Sequence, residues 1–107
     1  PAFGPDSVPE VPLAGTIGSS VILGQVDRLA VAADRILVID YKTNRAPPRD
    51  AADTPALYVS QMAAYRALLA ALYPRRRVRC FLLWTDGPVL AELSAAQLDA
   101  HATEFQR

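Results

Sequence analysis

The stretch from residue 21 to residue 42 constrains the fold more than any other part of the chain. Residues 21–31 and 35–42 both read as strands, rich in valine, isoleucine and leucine, and Ala33-Asp34 between them leaves room only for a tight turn. Strands joined so closely pair antiparallel. An even-length loop centred on Ala33-Asp34 sets Asp27 opposite Asp40 and Gln25 opposite Lys42. Opposed residues carry Cβ atoms about 5 Å apart, and alternation along the strand puts Lys42 on the same face as Asp40. Two carboxylates so close repel and cost stability. A divalent cation removes that penalty, and hard oxygen ligands at this separation suit magnesium. The pattern is that of a metal site with a lysine beside it.

Register decides the matter. An odd-length loop or a bulge shifts the pairing by one residue and sends the two aspartates to opposite faces. Asp27 is then a solvated strand residue and Asp40 a strand-terminal cap. Against that alternative stands the unbroken apolar run of residues 36–39, the pattern of a strand buried on both faces. Charges where such a strand emerges are expensive unless compensated.

With 107 residues the chain is long enough for one modest core. Its 51% apolar and 21% charged residues are ordinary for a folded domain, and its formal net charge of zero argues against a dedicated polyanion platform. Arg75, Arg76, Arg77 and Arg79 form a local basic run, which reads either as a phosphate-binding patch or as a solvated connection. The lone Cys80 lies in an apolar strand, so no disulfide, zinc site or iron–sulfur cluster can be assembled from cysteine. That suits a reducing compartment. No stretch is apolar enough to span a membrane, and the proline-rich opening from Pro1 to Pro12 reads as an interior cut from a longer protein.

Along the chain, residues 1–9 form an irregular lead-in, and residues 10–107 read as a single domain. Residues 10–17 suit an edge strand, because Pro12 cannot donate to a ladder. Residues 43–53 form a loop. A helix is expected from Thr54 as N-cap and Pro55 as first residue to about Tyr73, with Leu57, Gln61, Tyr65, Leu68 and Leu72 along one face. Strands follow over residues 78–85 and 89–93. A last helix over residues 95–105 opens on Ser94 and Gln97, the pattern of a capping box. The order β-β-β-α-β-β-α gives an α/β fold with a mixed sheet flanked by helices, the first helix having the length a parallel crossover needs. Gln61 and Tyr65, four apart, project side by side and need polar partners. They read either as supports of the aspartate–lysine cluster or as a boundary glutamine and a core tyrosine. His101, the one histidine, reads as a surface residue.

Taken in order, Gly24-x-x-Asp27-Arg28-Leu29, Ile39-Asp40-Tyr41-Lys42-Thr43 and Gln61-x-x-x-Tyr65 resemble the RecB-like branch of the PD-(D/E)xK nucleases. Asp40–Arg45 and Leu83-Trp84-Thr85-Asp86-Gly87 look like the C-terminal nuclease domain of AddA-type helicase–nucleases of double-strand-break repair. The resemblance runs from about Glu10 to Leu93. It implies a restriction-endonuclease-like fold, lacking here the upstream helix that family members carry, and a bacterial cytoplasmic enzyme that hydrolyses DNA with Mg2+, for which Mn2+ can substitute. Asp27, Asp40 and the Tyr41 carbonyl would hold the metal, and Lys42 would activate or orient water. Gln61 and Tyr65 would support the site, Glu10 would match an upstream acidic position, and Thr43, Asn44 and Arg45 would meet DNA. The implied partners are DNA, an attached helicase and an AddB-type subunit. A nuclease-fold module that binds DNA or a partner without cutting it is the alternative.

Overall fold

The computed structural model describes residues 7–43, 46–86 and 88–102. A five-stranded sheet runs in the order β1-β2-β3-β4-β5, formed by β1 (Ser7–Ile17), β2 (Ser20–Val31), β3 (Arg35–Lys42), β4 (Arg77–Trp84) and β5 (Val89–Leu93). Every neighbouring pair is antiparallel except β3 and β4, which run parallel and are joined through helix α1 (Ala56–Leu72). Helix α2 (Ala95–Ala102) follows β5. This is a mixed, helix-flanked sheet in the element order expected from the sequence. None of the described helices is long and apolar enough to cross a membrane.

The main core lies on one face of the sheet. There Leu13, Val26, Ile36, Val38, Cys80, Leu82, Trp84 and Leu93 pack against Val59, Met62, Tyr65 and Leu69 of α1 and Leu98 of α2. Each large side chain withdrawn from water contributes roughly 1.5–3 kcal/mol. Leu37, Ile39 and Phe81 form a smaller cluster on the opposite face, so β3 is buried on both sides as its apolar run requires. β1 is an edge strand and tolerates Pro9 and Pro12 there.

Three helix details depart from expectation. Thr54 does not cap α1. Asp50 first caps a 3-10 turn (Ala51–Asp53) through Ala52 N–H at 2.9 Å, and the Thr54 hydroxyl closes that turn by donating to the Ala51 carbonyl at 2.7 Å. Pro55 then sits at the N-cap of α1. The stripe along α1 is also displaced. Leu57 and Leu72 are 75% and 60% exposed, while Val59, Met62, Ala63, Tyr65, Leu68 and Leu69 are buried. The capping box at α2 forms as expected: Ser94 N–H donates to the Gln97 side chain at 2.9 Å, and Gln97 N–H donates to the Ser94 hydroxyl at 3.1 Å. Gln97 also donates to the Ala51 carbonyl at 2.8 Å, tying α2 to the loop before α1. His101 is half-buried rather than a surface residue, with its Nδ1 3.0 Å from the Ser60 hydroxyl of α1.

Candidate functional site

The hairpin β2–β3 has the even-loop register. Arg28 pairs with Ile39, Leu29 with Val38, Ala30 with Leu37 and Val31 with Ile36, and Ala32 N–H donates to the Arg35 carbonyl across the turn. The next position in that register is Asp27 opposite Asp40. The ladder ends there, so Gln25 and Lys42 do not pair. Because Ile36 and Val38 face the helices, Asp40 and Lys42 continue on that side.

A slip in the pleat brings Asp27 to the same place. Val26 and Leu29 both belong to the helix-side core, although strict alternation would put them on opposite faces. The β1–β2 pairing runs unchanged in register on either side, from Val11↔Val26 to Pro9↔Arg28, and skips Glu10 and Asp27. Glu10 has φ of 54°, the only described non-glycine residue with positive φ. Both strands therefore reverse their faces at this row. Val26 and Asp27 consequently follow one another on the helix side, so a core valine is succeeded by a carboxylate at the mouth of the site. Beyond the slip Arg28 turns to the other face, where its Nε donates to the buried Ser7 hydroxyl at 2.7 Å.

Asp27 accepts the Tyr41 N–H at 2.7 Å, replacing the ladder bond that the slip removes. Asp40 is 7% exposed. Its carboxyl is pushed up to about 6, first by burial and then by the hydrogen bond it shares with Asp27, against the pull of Lys42. Lys42 donates to Asp40 at 2.8 Å, with both side chains 11% exposed. The Lys42 ammonium also lies 3.5 Å from the Gln61 oxygen and 4.1 Å above the Tyr58 ring centroid. Gln61 in turn donates to the Tyr65 hydroxyl at 3.3 Å. Burial, followed by the charge of Asp40, raises the Tyr65 phenol above its ordinary value. A Cβ at Gly24 would stand 2.2 Å from the Tyr65 hydroxyl, so only glycine lets this ring lie across β2.

The structure thus brings Asp27, Asp40, Lys42, Gln61 and Tyr65 to one end of β3. Thr43 follows on the exposed strand exit, while Asn44 and Arg45 lie outside the described residues. Glu10 is exposed and occupies the row of Asp27, but it joins no group of three His, Cys, Asp or Glu side chains able to hold a metal; none exists among the described residues. Sequence reasoning missed Tyr58. Its signal was its place three residues before Gln61 and seven before Tyr65, on the same helical face. A cleft of about 530 Å³ lined by Lys42, Leu57, Tyr58, Ser60 and Gln61 opens beside the lysine.

The sequence model of the PD-(D/E)XK nuclease superfamily matches residues 3–107. A crystal structure of a candidate exonuclease from Eubacterium rectale superposes with a TM-score of 0.66 at 12% identity, covering 92% of this chain and 41% of that one. A protein named SSO0001 superposes with a TM-score of 0.52 at 20% identity, covering 92% of this chain and 48% of that one. The chain therefore spans less than half the length of either structure, and at these identities the likeness is one of fold. No curated protein matches the sequence.

Proposed function

The chain belongs to the PD-(D/E)XK nuclease superfamily, and on that premise we propose that it is a DNA-hydrolysing nuclease domain of the AddA type, dependent on Mg2+. The observation that carries the reading is the meeting of Asp27 and Asp40 at the buried end of a core strand, with the chain's only lysine 2.8 Å from Asp40. An arrangement that costs folding energy and contributes no packing has its explanation in chemistry.

The donor set suits a hard divalent cation. Magnesium commonly takes one or two carboxylates and completes its shell with water and substrate oxygens, so two aspartates suffice. Asp27 and Asp40 would hold it. In an extended residue the N–H and C=O point to the same side, so the Tyr41 carbonyl opens on the edge where its N–H meets Asp27 and would be a third donor. Bound there, the cation would polarise a phosphodiester oxygen and stabilise the charge that develops in hydrolysis.

The chain's own groups have distinct roles in this proposal. Lys42 holds a proton-bearing nitrogen at the site, where it orients the attacking water and offsets charge on the phosphate. Gln61 and Tyr65 fix the polar wall behind Lys42. Glu10 is assigned a supporting role at the row of Asp27, and Thr43, Asn44 and Arg45 would meet the DNA backbone where β3 exits. The cleft beside Lys42 receives part of the strand being cut. An attached helicase and an AddB-type subunit would deliver that strand, as the wording of residues 40–45 and 83–87 suggests.

The test is cleavage of end-labelled single-stranded DNA with Mg2+. Asp40→Ala is expected to abolish it, Lys42→Ala to slow it by roughly 10²–10³-fold, and EDTA to stop it. Wild-type protein that binds the DNA without cutting it would favour the non-cutting module instead.

A further inference from the structure

Lys42 carries a long, flexible stem whose ammonium has three donors to satisfy and no fixed direction of its own. Its contact with Gln61, at 3.5 Å, is too long to hold it. Its contact with Asp40 is short, but that carboxylate is the group assigned above to a cation, so its geometry changes when the site is loaded. The remaining contact is the face of Tyr58, with the ammonium 4.1 Å from the ring centroid. A cation over an aromatic face is attracted by the ring quadrupole, more strongly when partly withdrawn from water. Lys42 meets that condition, being 11% exposed.

The ring is itself held. Tyr58 meets Trp84 edge-on, with centroids 5.9 Å apart and planes at 61°. Trp84 is 2% exposed and rooted in the core. It is also the strand partner of Lys42 in the parallel β3–β4 pairing. Lys42, Tyr58 and Trp84 therefore form a closed triangle: the strand neighbour of the lysine braces the ring on which the lysine rests.

We propose that Tyr58 is a positioning residue, whose ring face, braced by Trp84, holds the Lys42 ammonium in place independently of Asp40. The proposal rests on the nuclease reading only for its consequence in catalysis. The placement itself is a property of the free protein.

Because Lys42 is the only lysine, protein grown with 13C-lysine reports one side chain without assignment. In the wild type its ε-methylene protons should resonate upfield of the free-lysine position, shielded by the Tyr58 ring. Tyr58→Phe keeps a π face and should keep the shift, while Tyr58→Leu should abolish it. Cleavage should follow the same order: near wild-type for Tyr58→Phe, and about tenfold lower in kcat with KM little changed for Tyr58→Leu, as expected from losing one cation–π contact. A wild-type signal at the free-lysine position, or an upfield signal that survives Tyr58→Leu, overturns the proposal. If Tyr58→Leu does not fold, the wild-type and Tyr58→Phe signals decide it. If the shifts behave as expected and the wild type cuts no DNA, Tyr58 still positions Lys42 and the nuclease reading is the part that falls.

Discussion

Replacing Asp40 with asparagine should make the protein more stable at neutral pH. In the folded state the carboxyl is raised from 3.8 to about 6, chiefly by burial and next by Asp27. In the unfolded chain it ionises near its ordinary value, so between those limits the folded state binds more protons than the unfolded one. Stability must therefore fall as pH rises from about 4 to about 6, and stay reduced above that range. At 1.36 kcal/mol per pH unit the displacement corresponds to about 3 kcal/mol. Asparagine stands in for the protonated acid and removes this penalty; the pull of Lys42 is already contained in the displacement, and partial solvation of the carboxyl discounts it to an expected gain of about 1–3 kcal/mol. Urea unfolding followed by the fluorescence of the single tryptophan, Trp84, measures it. Asp40→Asn should exceed the wild type at pH 7.5 without divalent ions, and the difference should shrink toward zero near pH 4. Asp40→Asn less stable than the wild type at pH 7.5, or a difference that ignores pH, would refute the reasoning.

Other consequences are direct. Gly24→Ala drives a methyl group into the buried Tyr65 ring and should cost about 1–3 kcal/mol in the same urea assay. Gly15→Ala meets only the flexible tip of Leu68, so it should cost less. Gln97→Ala loses the capping-box bond that its side chain accepts from Ser94 N–H and the tie to Ala51, while its own backbone N–H still donates to Ser94, and should lower stability by about 1 kcal/mol. Burial pushes the Cys80 thiol up to about 12, so a thiol reagent at pH 8 should label it only as the protein unfolds, which mass spectrometry against time can follow.

The hairpin register was legible because two local signals agreed: a two-residue turn between strands, and an apolar run that fixed which strand lay in the core. The pleat reversal at Glu10 and Asp27 was not legible. No glycine marks it, and through it β2, paired with β1, presents Val26 to the helices and Asp27 to the site in succession. On α1 Leu57 fits the three- and four-residue steps of an apolar stripe and yet is exposed. The face runs instead through Tyr58, whose ring serves both Trp84 and Lys42. His101 reads as exposed for a related reason: a short terminal helix looks solvated until its partner helix supplies Ser60. Tertiary pairing of polar groups, unlike hydrophobic periodicity, leaves little trace in one sequence.

The most direct test is a titration of 15N-labelled protein with Mn2+, read by amide NMR, with Mg2+ added back. Broadening should centre on Asp27 and on Asp40, Tyr41 and Lys42; Mg2+ should reverse it, and Asp40→Ala should prevent it. Broadening that is absent from these residues, or that persists unchanged in Asp40→Ala, would mean that the paired aspartates do not form a metal site.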